Sequence, residues 1–435
     1  MATSAPALLA GRPWGRALRW LAFLAPFFFL SYGAANYLAA RRAEVGAIVF
    51  DWEHLIPFRA WTIIPYWTID AFYGLSLFVA RDARELDIHA RRLLTAQIGA
   101  VACFILFPLR FTFARPETDG VSRLLIDLLM SFDQPFNQAP SLHIALLVVL
   151  WVLYARHVPG WARWPLHAWF ALIGVSVLTT FQHHFIDIPT GALLGFLCLW
   201  LWPDDGPSPL AAAARAHDAR RLFLAKLYAL GAALCAAAAF ELGGAVLWLL
   251  WPAVSLLLVA ANYALLGVAG FQKGADGRMS LAARALLAPY LAGAWINSRL
   301  WTRRDPAAVA IADGVSLGRL PARGPADGAV VDVAAELPGG SAPAWHAVPM
   351  LDLVVPDAAA LRAAADAIER ARSRGPVLVC CALGFSRSVA AVATWLVATR
   401  RAASVDAALA RIAALRPRLV VSAELRAAIA AAASP

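Results

Sequence analysis

The stretch VLVCCALGFSRSVAAVATWLV, residues 377–397, runs from a β-branched apolar segment through a turn containing Gly384 into an apolar helix. Cys381 and Arg387 stand at the two ends of that turn. A strand, a tight loop and a helix N-terminus together present backbone N–H groups and partial positive charge, which suits a phosphate. A thiolate that attacks a phosphate monoester needs this cradle, stabilisation of its own charge, and an acid for the leaving group. Arg387 can hold two phosphoryl oxygens in a bidentate grip, where lysine offers only a point charge. Gly384 lets the backbone approach the ligand closely. The Ser388 hydroxyl can assist departure of sulfur from a phosphoenzyme. Ala382, Leu383, Phe385 and Ser386 complete the loop around the phosphate.

The Cys381–Arg387 loop resembles that of the dual-specificity (tyrosine-phosphatase-like) cysteine phosphatases, and the resemblance covers most of 305–435. DGVSLGRLP near 313–321 resembles the family's entry strand, GAVVDVAAELP its next strand and acidic turn, and RIAALRPRLVVSAEL its closing helices. HAVPMLDL matches the segment that carries the family's general acid. That implies the acid role for Asp352, 29 residues before the cysteine, with Asp357 as the neighbouring alternative. The family usually has histidine immediately before the nucleophile, and here Cys380 stands there. Three readings of Cys380 stay open: a buried strand residue, a change that weakens activity, or a resolving thiol that shields Cys381 from over-oxidation. The interior of the loop is uncharged, which favours a monoester of modest charge over a multiply phosphorylated headgroup.

The rest of the chain is mostly apolar. Of 435 residues, 61% are hydrophobic and 15% charged, against about a quarter charged in ordinary soluble domains. This composition implies an integral membrane protein. The net charge of +10 does not require a nucleic acid partner, because the arginines cluster at the ends of apolar runs, as topology demands. Eight runs meet or approach the roughly 20 apolar residues that a membrane crossing needs: about 17–39, 61–80, 93–113, 141–156, 165–182, 185–203, 221–241 and 245–267. Two of them are short or interrupted. The expected fold class is therefore a polytopic α-helical membrane domain of six to eight spans, followed by a soluble α/β cysteine-phosphatase domain.

The expected division is a membrane phosphoesterase or phosphotransferase-like domain at 1–205, two further spans in 206–270, an amphipathic linker at 271–304 and the phosphatase-like domain at 305–435. The first run follows Arg12, Arg16 and Arg19, lacks a tidy cleavage site, and reads as a retained anchor. Arg81, Arg84, Arg91, Arg92, Arg156, Arg163, Arg215, Arg220 and Arg221 outnumber the arginines of the opposite loops. Both termini are thus expected in the cytoplasm, with the chain in a bacterial inner (plasma) membrane. Cys103, Cys198 and Cys235 lie inside apolar runs, and no paired CxxC spacing occurs, so neither a disulfide framework nor a metal or other cofactor is expected.

The membrane half has its own constellation: FARPETDG at 113–120, APSLHIA at 139–145 and TTFQHHFIDIPTG at 179–191. Ionisable groups within membrane segments are costly and default to function. In the His183-x3-Asp187 spacing, one helical turn brings the carboxylate beside the imidazole, fixing its tautomer and raising its basicity. Across about 60–205 these motifs resemble the type-2 phosphatidic acid phosphatase superfamily. The resemblance implies His183 as nucleophile, Asp187 as its orienter, His143 as the acid, Arg115 as a phosphate ligand and Ser141 as a secondary phosphate contact. Pro108 replaces the family's first-motif lysine, and Val177 follows Ser176 where an arginine is usual; Arg110 is a partial substitute. PSLH and HHFID look like the inositol phosphorylceramide synthase branch, which transfers phosphoryl headgroups between lipids.

The function expected is a membrane-bound phosphatase of lipid phosphate metabolism. A cytoplasmic Cys-dependent phosphomonoesterase would be joined to an outer-face His-dependent lipid phosphatase or phosphotransferase. Its partners would be a lipid phosphate, or a phosphorylated small-molecule or protein substrate, together with membrane lipids. Two alternatives stay open: a membrane-anchored phosphoprotein (Tyr/Ser/Thr) phosphatase with a non-catalytic membrane half, and a non-enzymatic lipid-sensing or translocating protein.

Overall fold

The computed structural model describes residues 11–324, 328–340 and 344–434. The chain divides into two compact units between Ser208 and Pro209.

The first unit is helical: α1 (Trp14–Ala40), α2 (Ile63–Ser76), α3 (Ala83–Leu106), α4 (Gly120–Met130), α5 (Leu142–His157), α6 (Arg163–Thr179) and α7 (Asp187–Leu201). Each apolar run read from the sequence between 17 and 203 overlaps one of these helices, with α3 starting ten residues before its run, and α4 falls in a segment read as loop. α5 and α7 lie close together because α7 turns Gly191 and Gly195 toward its neighbour. A Cβ on Gly191 would stand 2.5 Å from the Ser141 carbonyl oxygen, and one on Gly195 would stand 2.7 Å from Val148 Cβ. Small residues four apart allow this backbone approach. It brings the start of α7 against the start of α5.

The second unit begins with α8 (Ala219–Leu242) and the helical run Gly244–Phe271, whose α-helical centre is α9 (Leu250–Ala261). α10 (Leu281–Trp301) follows, N-capped by Ser280. A five-stranded sheet comes next, in the order β1-β2-β5-β3-β4, with β1 (Val309–Ala312) antiparallel to β2 (Val315–Arg319) and the other pairs parallel. The remaining strands are β3 (Ala329–Ala334), β4 (Ala344–Met350) and β5 (Val377–Cys381). Helices α11 (Ala358–Arg372), α12 (Arg387–Ala398), α13 (Val405–Leu415) and α14 (Ala423–Ala433) complete the unit. Val377, Val379 and Cys381 of β5 pack into one buried cluster with Leu361, Ile368, Val389, Val392 and Trp395. β5 is central and parallel to both its neighbours, so its carboxyl end is where an open α/β sheet offers a ligand crevice.

Of the six to eight spans expected, three stand out by length and composition. Among the described residues, three helices are long and apolar enough to cross a membrane: Trp14–Ala40, Ala219–Leu242 and Gly244–Phe271. α5 and α7 are apolar but have 16 and 15 residues, about 24 Å at the helical rise against a hydrocarbon core of about 30 Å. α3 is long enough, but its first turns carry Arg84, Glu85, Asp87, Arg91 and Arg92. Apolar composition alone does not separate a buried core helix from a membrane crossing.

Candidate active site

In the second unit β5 ends at Cys381, residues 382–386 form the loop, and Arg387 opens α12. The Gly384 N–H donates to Cys381 Sγ at 3.2 Å, and Ser388 Oγ lies 3.3 Å from the same sulfur. Gly384 has φ +77°, and a Cβ there would stand 2.5 Å from the Gly318 backbone. Only glycine fits that turn. The loop is braced from outside. Ser298 Oγ of α10 donates to the Ala382 carbonyl at 2.6 Å, Arg416 donates to the Leu383 carbonyl at 3.3 Å, and Val420 N–H donates to the Phe385 carbonyl at 2.9 Å. The Arg416 guanidinium also covers the Phe385 ring, 5.1 Å from its centroid. These contacts hold the loop in place, and a loop so fixed can present its N–H groups to an anion.

Arg387 is buried, and its fork is met by carboxylates. Nη1 donates to Glu336 Oε2 at 2.7 Å and to the Met350 carbonyl at 2.8 Å. Nη2 donates to Glu336 Oε1 at 2.5 Å and lies 2.8 Å from Asp352 Oδ1. Burial pushes the Glu336 carboxyl up, but the Arg387 charge and hydrogen bonds outweigh it and hold Glu336 below the usual range. Asp352 moves the other way. Burial raises it, with Glu336 adding to the rise, and Arg387 only partly offsets them. The two carboxyls around the guanidinium are thus shifted in opposite directions, Glu336 downward and Asp352 upward. Asp357, the alternative acid, accepts the Ala360 N–H at 2.7 Å as the N-cap of α11.

Cys380 faces the other side of the sheet, fully buried with Leu320, Val330, Leu337, Trp345 and Ala382. Burial, and then the charge of Asp332, push its thiol well above the usual range. It has neither the access nor the thiolate character a resolving thiol requires. Below it lies a feature the sequence reading missed. Lys273 Nζ, wholly buried, donates to Asp332 Oδ2 at 2.5 Å, to the Ala334 carbonyl at 2.6 Å and to the Leu337 carbonyl at 2.7 Å. These acceptors flank Glu336, so Lys273 fixes the turn that presents Glu336 to Arg387.

In the first unit the H-x3-D pair forms as expected. His183 lies in the loop before α7, and its Nδ1 is 3.1 Å from Asp187 Oδ2; its Nε2 is 3.1 Å from Ser141 Oγ, the N-cap of α5. His143, in the first turn of α5, stacks on Tyr66 with ring centroids 4.2 Å apart. His143 and His183 line one cavity of about 410 Å³ with Tyr32, Tyr66 and Asp133. Arg115 donates to the Thr180 and Phe181 carbonyls at 3.2 and 2.7 Å, just ahead of His183. Arg110 is exposed and lines neither this cavity nor the smaller recess beside Arg115. Two partners here were not anticipated. Asp133 Oδ1 accepts from the Tyr32 hydroxyl at 3.0 Å, and Glu53 Oε2 lies 3.0 Å from His184 Nδ1. The density of polar residues in SFDQPFNQAPSLH, within an apolar chain, was the available signal for Asp133.

Solved structures similar to this chain are phosphatases, over about 28% of its length. They include a mouse dual specificity phosphatase complexed with zinc tungstate (28% identity, covering 28% of this chain and 84% of that one, TM-score 0.27). They also include human DUSP28 (28% identity, 28% and 92%, TM-score 0.26) and PTPMT1 in complex with PI(5)P (17% identity, 28% and 92%, TM-score 0.23). No family model and no curated protein matches the chain.

Proposed function

We propose that the second unit is a cysteine-dependent phosphoric monoester hydrolase of lipid phosphate metabolism, carried by an integral membrane protein. The observation that supports this most is the joint geometry of Cys381, the Gly384 N–H, Arg387 and Asp352 around one loop. Arg387 and the loop N–H groups would hold the phosphoryl oxygens. The Cys381 thiolate attacks phosphorus, an S–P bond forms, and the ester P–O bond breaks as Asp352 gives its proton to the leaving oxygen. Water then attacks the phosphocysteine, Asp352 takes its proton, and sulfur departs with help from Ser388, releasing inorganic phosphate. The raised Asp352 carboxyl fits the first step, since a neutral acid also spares the incoming dianion a repulsive charge. No cofactor or metal enters this chemistry.

A second activity is supported by the hydrogen-bonded His183–Asp187 pair beside Ser141. In it His183 attacks a lipid phosphoryl group, His143 protonates the leaving alcohol, and water or an acceptor alcohol completes hydrolysis or transfer. The test for the second unit is phosphate release by the full chain in lipid nanodiscs, with and without Cys381→Ser. The exchange should abolish turnover of phosphomonoesters, because serine has no adjacent base to make an alkoxide near neutral pH. Turnover retained within a few-fold of wild type would rule Cys381 out as nucleophile.

A further inference from the structure

A cavity of about 470 Å³ opens onto the Cys381 loop, and its lining is of two kinds. Ala382 and Leu383 of the loop line it together with Asp352 and Glu336. The rest of the wall includes Tyr228 of α8, Pro252 and Leu256 of the run Gly244–Phe271, and Tyr290 and Gly293 of α10. Two of those three elements are helices long and apolar enough to cross a membrane. Their remaining faces expose Leu227, Leu230, Leu234, Phe240 and Leu257, as helices do when lipid surrounds them. A wall of this kind gives an extended peptide few hydrogen-bond partners but offers an alkyl chain a continuous apolar surface. Among the residues lining the cavity there is no lysine, arginine or histidine, and the charged members are the carboxylates Glu336 and Asp352. A second phosphate on the headgroup would meet the carboxylates Glu336 and Asp352 there and neutral donors such as Asn297, with no cation among the lining residues to pair it.

We infer that this cavity is the tail-binding half of the Cys381 site. Its substrate is a lipid carrying a single phosphomonoester, the phosphate on the loop and the proximal part of the tail between α8, the run Gly244–Phe271 and α10. The inference rests on the reading of Cys381 as nucleophile and adds to it the part of the molecule that reads the substrate. Gly293 is the specificity position. Nothing lies within 4 Å of where its Cβ would stand, so a large side chain there enters the cavity without displacing its neighbours, and helix propensity improves.

The probe is a series of monodisperse alkyl phosphates of one, four, six and eight carbons, with a phosphotyrosine hexapeptide, hydrolysed by the full chain in lipid nanodiscs. kcat/KM should rise with chain length by up to about fourfold per methylene that enters the cavity, and the octyl ester should exceed the peptide. Gly293→Phe should flatten the series, with its thermal transition at the wild-type position showing that the chain is folded; if it is not, Leu256→Gln provides the same reading. A series already flat in the wild type, a rise that survives Gly293→Phe, or preference for the peptide overturns the inference while turnover remains Cys381-dependent. Turnover of methyl phosphate that survives Cys381→Ser overturns instead the reading beneath it.

Discussion

Replacing Lys273 with methionine removes the most enclosed cation of the second unit and tests how its site is held. The Lys273 and Asp332 side chains are both 0% exposed, so solvent cannot compensate either partner. After Lys273→Met the Asp332 carboxylate keeps only the Ala334 N–H at 2.9 Å and the Trp345 indole N–H at 3.3 Å, and the Ala334 and Leu337 carbonyls lose their donor. Breaking a buried pair by removing one partner costs about 3–5 kcal/mol. For a unit of this size each kcal/mol shifts the transition by roughly 2–4 °C, giving a fall of about 6–20 °C. The assay is a thermal melt of the full chain in nanodiscs, with Lys273→Met compared with Lys273→Met/Asp332→Asn. The double variant should recover part of the loss, because the stranded charge is gone. Phosphatase activity should fall in the single variant below the melting transition as well, since Glu336 no longer presents squarely to Arg387. A melt within about 2 °C of wild type together with full activity would refute the argument that Lys273 supports the site.

Four further outcomes are expected. Asp352→Asn should slow hydrolysis of an alkyl phosphate by about 10²–10⁴-fold and of an activated aryl phosphate far less, because only the poor leaving group needs the proton; equal losses would make Asp352 a structural residue. The alkyl phosphate rate should also hold to a pH above that of an ordinary aspartic acid and fall as the raised Asp352 carboxyl loses its proton, a limb that Asp352→Asn should lack. Glu336 is depressed in the folded state, so its stabilising contribution is complete above its unfolded pKa of about 4.3 and is lost as pH falls through the folded value. A Glu336→Gln chain that keeps the wild-type acid sensitivity would contradict that assignment. For topology, eight crossings with the N-terminus inside would put a reporter after Pro435 in the cytoplasm and a tag in the 116–139 loop outside; both on one side would overturn that span count or the orientation.

What was legible in the sequence was local. Cys381, Gly384, Arg387 and Ser388 fall within one strand–loop–helix segment, so spacing alone shows what they can do together. His183 and Asp187 are likewise one helical turn apart, and their 3.1 Å contact needed no knowledge of the fold. Glu336 and Lys273 were not legible as site residues. Glu336 meets Arg387 across 51 residues and Lys273 meets Asp332 across 59, and nothing in the intervening sequence encodes that packing. The same limit applies to the packing of the apolar helices. Hydropathy marks α5 and α7 as apolar, but it does not reveal that Gly191 and Gly195 press α7 onto α5 inside a helical core. It also matters where a fragment is cut: one starting at 305 contains the loop but lacks both Lys273 and Ser298, which hold it from outside.

In the proposed reaction phosphate passes through a covalent bond to one sulfur, that of Cys381. The direct measurement is acid quenching of the full chain during turnover of an activated aryl phosphate, followed by mass spectrometry of the proteolytic peptide that spans Gly375–Arg387. A single added phosphoryl group is expected on Cys381, absent from Cys381→Ser and still present in Asp352→Asn, whose loop and Arg387 are intact. A chain that turns over substrate with that peptide unmodified, or with the phosphoryl group on another residue, would contradict it.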